Sequence, residues 1–333
     1  MRIATSAPTR IDLAGGTLDI WPLYLFHPGA QTINAAISLR ARATIDSRDD
    51  DRIVLRSEDT EVTVEASHWR ELADPAKLRM LSLVAHFFEA RGLTLTTTSE
   101  SPKGAGIAGS SALNVALCAA FAEWAGIHYE PEALLQLAMN VEAQTIKVPT
   151  GLQDYRPALY GGVAAVELHT DAVRRVALDI DRNELERRLV LCYTGEPRHS
   201  GTNNWDITKR HLDGDRHVFD CFERIRDTAA ALRDALARSD WDGVGAAIAD
   251  EWDNRKRLSQ GVSTPIIDSL IAGAAQAGAT AAKVCGAGGG GCLFCYGPPE
   301  RRDAIRRALA EGGAHILDFR LECDGLTMER GRS

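Results

Sequence analysis

The sequence predicts an α+β protein in two lobes, and three observations predict it. Most short apolar runs in the first hundred residues are β-branched and alternate with polar residues. A strand at Leu93–Thr98 then passes through a glycine-rich turn into an Ala/Leu-rich helix. The C-terminal part reads strand, glycines, strand, helix, strand. A chain of 333 residues is long for one core, and the lobes are expected at residues 1–187 and 188–333.

Element by element, strands are expected at Arg2–Ser6, Ile11–Leu13, Arg42–Asp46, Arg52–Ser57, Glu61–Glu65 and Leu93–Thr98, with one helix around Lys77–Arg91. Helices Ser111–Trp124 and Glu132–Ile146 follow the glycine turn. A turn-rich segment, Val148–Gly162, leads to strands Val163–Leu168 and Leu189–Tyr193. His217–Arg238 and Trp241–Leu258 carry charges at helical spacing. Pro265–Ala277 opens on proline and stops before Gly278, as helices tend to. Strand Ala281–Val284, the glycine run, strand Gly291–Tyr296, helix Pro299–Glu311 and strand His315–Glu322 complete a ferredoxin-like order.

Composition narrows the function. Hydrophobic residues at 45% and charged residues at 25% are those of a folded globule, which excludes a disordered chain. The net charge of −8 offers no basic field for nucleic acid. The chain starts without an apolar signal segment, and no apolar run reaches membrane-spanning length. Seven cysteines, an odd number, point to reduced thiols and a cytoplasmic setting. The Cys292-x-x-Cys295 pair sits in an apolar run and reads as buried strand residues rather than a zinc or redox motif.

The most informative segment is Pro102-Lys103-Gly104-Ala105-Gly106-Ile107-Ala108-Gly109-Ser110-Ser111. Glycines without Cβ atoms let the backbone curl around a ligand, and the following helix aims unpaired N–H groups and a positive dipole end at it. Ser110 and Ser111 can cap the helix or bind a phosphate oxygen or magnesium. Such an anion cradle suits a nucleotide phosphate. Gly104, Gly106 and Gly109 also fit G-x-G-x-x-G, but a second helix follows where a dinucleotide fold needs a strand. A G-x-x-x-x-G-K-[ST] loop is absent from the sequence. A turn whose glycines serve only tight packing is the plain alternative.

Three further segments stand apart. Arg10 and Asp19 flank a pair of glycines after the first strand and could border a cleft or merely close a hairpin. Glu142 near a helix end and Asp154 in a turn could divide labour, one holding Mg²⁺ and one accepting a proton, or could be a solvated helix face and a turn aspartate. Gly286–Gly291 holds five glycines in six positions ahead of a strand, which suits close approach to a ligand or to the first glycine loop.

Together these segments resemble one family, the GHMP small-molecule kinases, which include galactokinase, homoserine kinase, mevalonate kinase and phosphomevalonate kinase. The family pattern is an Ala-Pro-x-Arg/Lys strand, a P-x-x-x-G-x-x-x-S-S loop and a C-terminal glycine motif, and all three occur here in order. Arg10, Gly15, Gly16 and Asp19 follow the R-x-x-x-x-G-G segment, with its acid, of bacterial heptose-phosphate kinases within that family. Ala108 departs from that subgroup's usual glycine. Gly16-Thr17 stands where galactokinases have Glu-His, and Arg10 where mevalonate kinases typically have Lys.

The resemblance implies a two-lobed GHMP-kinase-like fold in which Pro102, Gly104, Gly106, Gly109, Ser110 and Ser111 hold the ATP phosphates. It implies that Ser110 or Ser111 ligates Mg²⁺ with Glu142, that Asp154 is the base beside the attacking hydroxyl, and that Arg10 keeps Asp154 ionised. Asp19 and Thr17 would face the substrate, while Gly286, Gly288 and Gly289 would close the site. The family pattern does not explain Thr194–Trp205, a polar stretch with an aromatic. Arg198 and Asn204 from it, with Asp19 and Arg156, are expected to form the acceptor pocket, with Trp205 stacking on a sugar ring.

The expected activity is ATP- and Mg²⁺-dependent phosphorylation of a hydroxyl on a sugar or sugar phosphate. A mevalonate-pathway kinase or ATP-dependent decarboxylase is the alternative, and a catalytically silent metabolite or nucleotide sensor is another. Expected partners are ATP and a small-molecule acceptor, without nucleic acid or membrane; a homodimer is left open.

Overall fold

The structure, a computed structural model, describes residues 1–197 and 200–331. The chain opens with a long antiparallel pair, β1 (Arg2–Ala14) and β2 (Gln31–Ser47). β1 runs unbroken where two strands are expected: Pro8 lies at a register shift opposite β2, where a missing N–H is tolerated. β2 begins well before the expected Arg42, because Thr32, Asn34 and the small apolar residues around them are all buried. β3 (Ile53–Ser57) and β4 (Val62–Ala66) form a hairpin, followed by α1 (Arg79–Phe87), shorter than expected, and β5 (Leu93–Ser99). Then come α2 (Gly109–Trp124), α3 (Pro131–Ile146), α4 (Tyr155–Tyr160), β6 (Val163–Leu168) and β7 (Val173–Ala177).

β2 is shared by two branches of this sheet. Its first half pairs with β6, which carries β7; its second half pairs with β5, which continues to β3 in parallel and on to β4. α2 lies across β1 and β2 and is buried without a break from Asn114 to Ala122, so its largely apolar middle is covered on all sides.

The second lobe comprises α5 (Arg182–Arg188), β8 (Leu189–Tyr193), α6 (Ser200–Leu212), α7 (Arg216–Ala237), α8 (Trp241–Lys256), α9 (Pro265–Gln276), β9 (Ala281–Val284), β10 (Cys292–Tyr296), α10 (Arg302–Glu311) and β11 (His315–Leu317). Its sheet runs β11-β8-β10-β9, the ferredoxin-like order that the sequence predicts. The predicted strand His315–Glu322 stops at Leu317; Leu321 and Glu322 instead bond to β2 at Ile37 and Ala36. Finally β12 (Thr327–Gly331), not foreseen in the sequence, returns to the first sheet and pairs with Arg2–Ser6 of β1.

Strand alternation splits the second sheet between two cores. Leu189, Leu191, Phe294 and Tyr296 face the first lobe and pack with Ile11, Leu13, Ile33, Leu232 and Ile248. Val190, Cys192, Leu293 and Cys295 face away and pack with Phe222, Ile267, Leu270 and Leu309. Lys283 of β9 therefore points at the first lobe, into the seam that holds the site.

Candidate active site

The glycine turn between β5 and α2 forms one wall of a cavity of about 650 Å³. Pro102, Gly104, Gly106, Gly109, Ser110 and Ser111 all line it. Ala108, the residue before α2, adopts a left-handed φ of 60°, and no side chain caps the helix. The first N–H groups of α2 thus lack intrahelical acceptors and present a positive helix end beside the cavity.

The second lobe closes on the back of this turn. Cys292 N–H donates to the Ala105 carbonyl at 2.6 Å. Gly291 has φ +83°, and an added Cβ would stand 2.6 Å from the Ala105 carbonyl oxygen, so only glycine fits. Gly286, Gly288 and Gly289 do not line the cavity. Gly286 N–H donates to Asp12 at 2.8 Å, and Gly289 N–H to the Val262 carbonyl at 2.8 Å. Contact with the first glycine turn therefore falls to the end of the glycine run rather than to those three residues.

Glu142 and Asp154 line the same cavity. Glu142 is buried on α3, and its Oε2 accepts the Tyr155 hydroxyl at 2.7 Å. Burial pushes the Glu142 carboxyl up, while hydrogen bonds from Tyr155 and from the Ser111 and Ser110 hydroxyls pull it back. Arg10, 1% exposed, lays Nε at 3.1 Å and Nη2 closer still against Asp154 Oδ1, and donates Nη1 to the Gly106 carbonyl at 2.8 Å. Burial disfavours the Arg10 charge, but Asp154 and Asp12 outweigh it and hold the guanidinium ionised. One arginine so fastens the carboxylate to the glycine turn.

Beside this pair lies Asp19, 1% exposed. Its Oδ2 accepts the Gln153 N–H at 2.9 Å, and its Oδ1 has no hydrogen-bond partner among the described residues. Burial, then repulsion from Asp154, raises the Asp19 carboxyl to about 6. Gly151 covers it so closely that a Cβ there would overlap the carboxylate. Thr17 sits at φ 73°, its hydroxyl accepting from Arg255 Nη1 at 2.9 Å.

The expected acceptor loop is a helix from Ser200 onward, because Ile207, Thr208 and His211 bury one helical face. Asn204 on it lines the cavity, with a buried Oδ1 that lacks a partner among the described residues. Trp205 is 51% exposed and does not line the cavity. Arg156 is not brought in: its Nη2 donates to Glu132 at 2.6 Å and its Nη1 to the Leu152 carbonyl at 3.1 Å. Arg198 lies outside the described residues. Asp59, Thr60, Met80, Leu81, Leu113 and Ile146 also line the cavity.

Four buried charges behind the site escape sequence reasoning: Asp12, Glu251, Arg255 and Lys283. Lys283 Nζ donates to Asp12 Oδ2 at 2.8 Å, and Arg255 holds Glu251 Oε1, the Gly16 carbonyl and Thr17. Burial would raise the Asp12 carboxyl, but Lys283, Arg10 and Arg255 bring it down to about 2. Two signals were available: Asp12 shares a strand face with Arg10, and Lys283 interrupts a buried apolar strand.

A helix-start anion cradle, a buried acid beside it and an arginine-tethered carboxylate in one cavity define a phosphotransferase acting on a hydroxyl. Family comparison gives the same class. The model for the GHMP kinases N terminal domain matches residues 77–162, and that for GHMP kinases C terminal matches residues 232–315. The chain belongs to the GHMP kinase family. It is 29% identical over 336 residues to the D-glycero-alpha-D-manno-heptose 7-phosphate kinase of Campylobacter jejuni, covering 97% of this chain and 98% of that protein. It is 25% identical to the mevalonate kinase of Thermococcus sibiricus, covering 99% of each. The fold matches the crystal structure of a D-glycero-D-manno-heptose 1-phosphate kinase from Bacteroides thetaiotaomicron with a TM-score of 0.80, at 23% identity over 99% of this chain and 100% of that one.

Proposed function

We propose that this chain transfers the γ-phosphoryl group of ATP to a hydroxyl of a heptose-like sugar or sugar phosphate. The observation that carries the reading is the Arg10–Asp154 pair fixed to the glycine turn, with Asp19 Oδ1, unpartnered among the described residues, next to it. ATP phosphates occupy the turn and the start of α2, and the base lies toward Met80, Leu81 and Ile146. Asp19 Oδ1 and Asn204 Oδ1, both buried acceptors without partners among the described residues, receive hydroxyl protons of the acceptor. Arg10 occupies Oδ1 of Asp154, which leaves Oδ2 to meet the attacking hydroxyl. As the new oxygen–phosphorus bond forms, the bond to the ADP oxygen breaks and the hydroxyl proton passes to Asp154. Positioning and charge neutralisation supply most of the rate.

Glu142 with the Ser110 and Ser111 hydroxyls is an oxygen donor set that fits magnesium. Those three side chains would hold the ion, which would supply positive charge to offset that of the phosphates. None of the seven cysteines is in a disulfide, and six of them are buried, which supports a reducing, cytoplasmic setting.

The test is ADP release from ATP and Mg²⁺ across heptoses, heptose phosphates, hexoses, uronic acids and mevalonate compounds, with Asp154→Asn alongside. Turnover on a heptose compound that the substitution abolishes supports the reading. Turnover on mevalonate compounds alone, with or without CO₂ release, replaces it with a mevalonate-pathway activity. ATP binding without turnover on any compound replaces it with a sensor.

A further inference from the structure

The mechanism above uses Arg10 and Asp154 but not the buried lysine behind them. Arg10 and Asp12 lie two residues apart on one face of β1, so Arg10 has two carboxylates within reach. Its Nη1 is 3.9 Å from Asp12 Oδ1, while Nε and Nη2 engage Asp154. Two anions thus compete for one buried guanidinium, and of the two Asp12 is fully buried, where an unpaired carboxylate is costly.

Donors from the second lobe satisfy Asp12 instead. Lys283 Nζ donates at 2.8 Å to Oδ2 and at 2.8 Å to the Asp12 carbonyl, and Gly286 N–H donates at 2.8 Å to Oδ1. Lys283 and Asp12 are both fully buried. Among the described residues, the other groups around the ammonium are Glu251 Oε2 at 3.7 Å and the Phe294 ring at 5.9 Å. Neither is a donor to Asp12, and Arg255, the remaining cation that acts on Asp12, is held by Glu251, the Gly16 carbonyl and Thr17.

We infer that Lys283 is a positioning residue: by saturating Asp12 it leaves Arg10 to Asp154, so the second lobe sets the alignment of the catalytic pair in the first. The inference rests on the phosphotransfer reading above. Without Lys283, Asp12 recruits Arg10, and Asp154 loses its tether to the Gly106 turn. ATP and acceptor contacts are made by other groups, so the loss falls on turnover rather than on binding.

The experiment compares Lys283→Met, Asp12→Asn and the double variant, using ATP with D-glycero-D-manno-heptose 7-phosphate. Lys283→Met is expected to lower kcat 10- to 100-fold, with both KM values within about 3-fold of the parent. Adding Asp12→Asn removes the competing charge, and the double variant should regain at least 5-fold over Lys283→Met. A double variant no better than the single one overturns the inference, as does Lys283→Met with full kcat. Should Lys283→Met not fold, the uncharged double variant carries the test, and a kcat as low as that of Arg10→Met overturns it. A crystal structure of whichever Lys283 variant folds, solved without nucleotide or acceptor, reads the same point without turnover. In Lys283→Met, Arg10 bonded to Asp12 supports the inference and Arg10 still on Asp154 overturns it; in the double variant, Arg10 still on Asp154 is expected and Arg10 detached from it overturns the inference. A parent enzyme that turns over no acceptor therefore defeats the functional reading alone.

Discussion

Asp19 places function against stability within one side chain. Its carboxyl titrates near 6 in the folded protein, above the ordinary value of 3.8, because burial and Asp154 disfavour its charge. The folded state therefore holds a proton that the unfolded chain gives up, and stability falls as pH rises from about 4 to about 6. Above that window the ionised group costs on the order of 1–3 kcal/mol. Asp19→Asn should unfold at higher denaturant at pH 7.5 than the parent by about that amount, and the gain should vanish near pH 4. The same variant should raise the acceptor KM at least 10-fold, since a hydroxyl acceptor becomes an amide. Asp154→Asn should differ in kind: kcat falls by about two orders of magnitude or more with little change in either KM. Steady-state kinetics separates the two roles.

At the scale of elements, the phosphate turn depends on a strand end from the other lobe. Gly291→Ala would push a methyl into the Ala105 carbonyl and force an L residue to φ +83°. It is expected to cost about 2–4 kcal/mol and to raise the ATP KM more than the acceptor KM, as read by chemical denaturation and initial rates. The turn itself was legible in the sequence because strand, glycines and helix are contiguous. So were the ferredoxin-like order and the Arg10, Glu142 and Asp154 positions, whose side chains meet in one cavity or at its wall. The helical character of α6 was hidden by the polar run Gly201-Thr202-Asn203-Asn204, whose residue types favour turns. Arg156 was misread for a different reason: Asp154 faces the cavity, but two residues on, about half a helical turn, the Arg156 guanidinium is directed to Glu132. The Asp12–Lys283 pair was illegible because its partners lie on β1 and β9, and no local spacing records that meeting.

For the whole molecule, the two lobes share structure rather than merely touching. Ile11, Leu13 and Ile33 of the first sheet form one core with Leu191, Phe294 and Leu232 of the second lobe. Calorimetry should therefore show one cooperative transition, with a calorimetric enthalpy equal to the van't Hoff value; two resolved transitions would contradict the shared core. The buried pair adds an acid-side dependence. Asp12, held at about 2, contributes stability above pH 4 that is lost as pH falls toward 2. Lys283→Met should weaken that dependence, since it removes the main charge that lowers the Asp12 carboxyl.

The pairing of β12 with β1 has a consequence for synthesis of the chain. Arg2 waits for Gly331, and Ser6 for Thr327, so the outer edge of β1 is made first and covered last. At about 5–20 residues per second, a ribosome leaves that edge uncovered for tens of seconds while the rest of the chain emerges. During that interval β1 offers a row of unpaired backbone groups to any neighbouring nascent chain. Yield on overexpression should therefore depend on slow translation, low temperature or chaperone supply more steeply than the equilibrium stability of the finished enzyme would indicate.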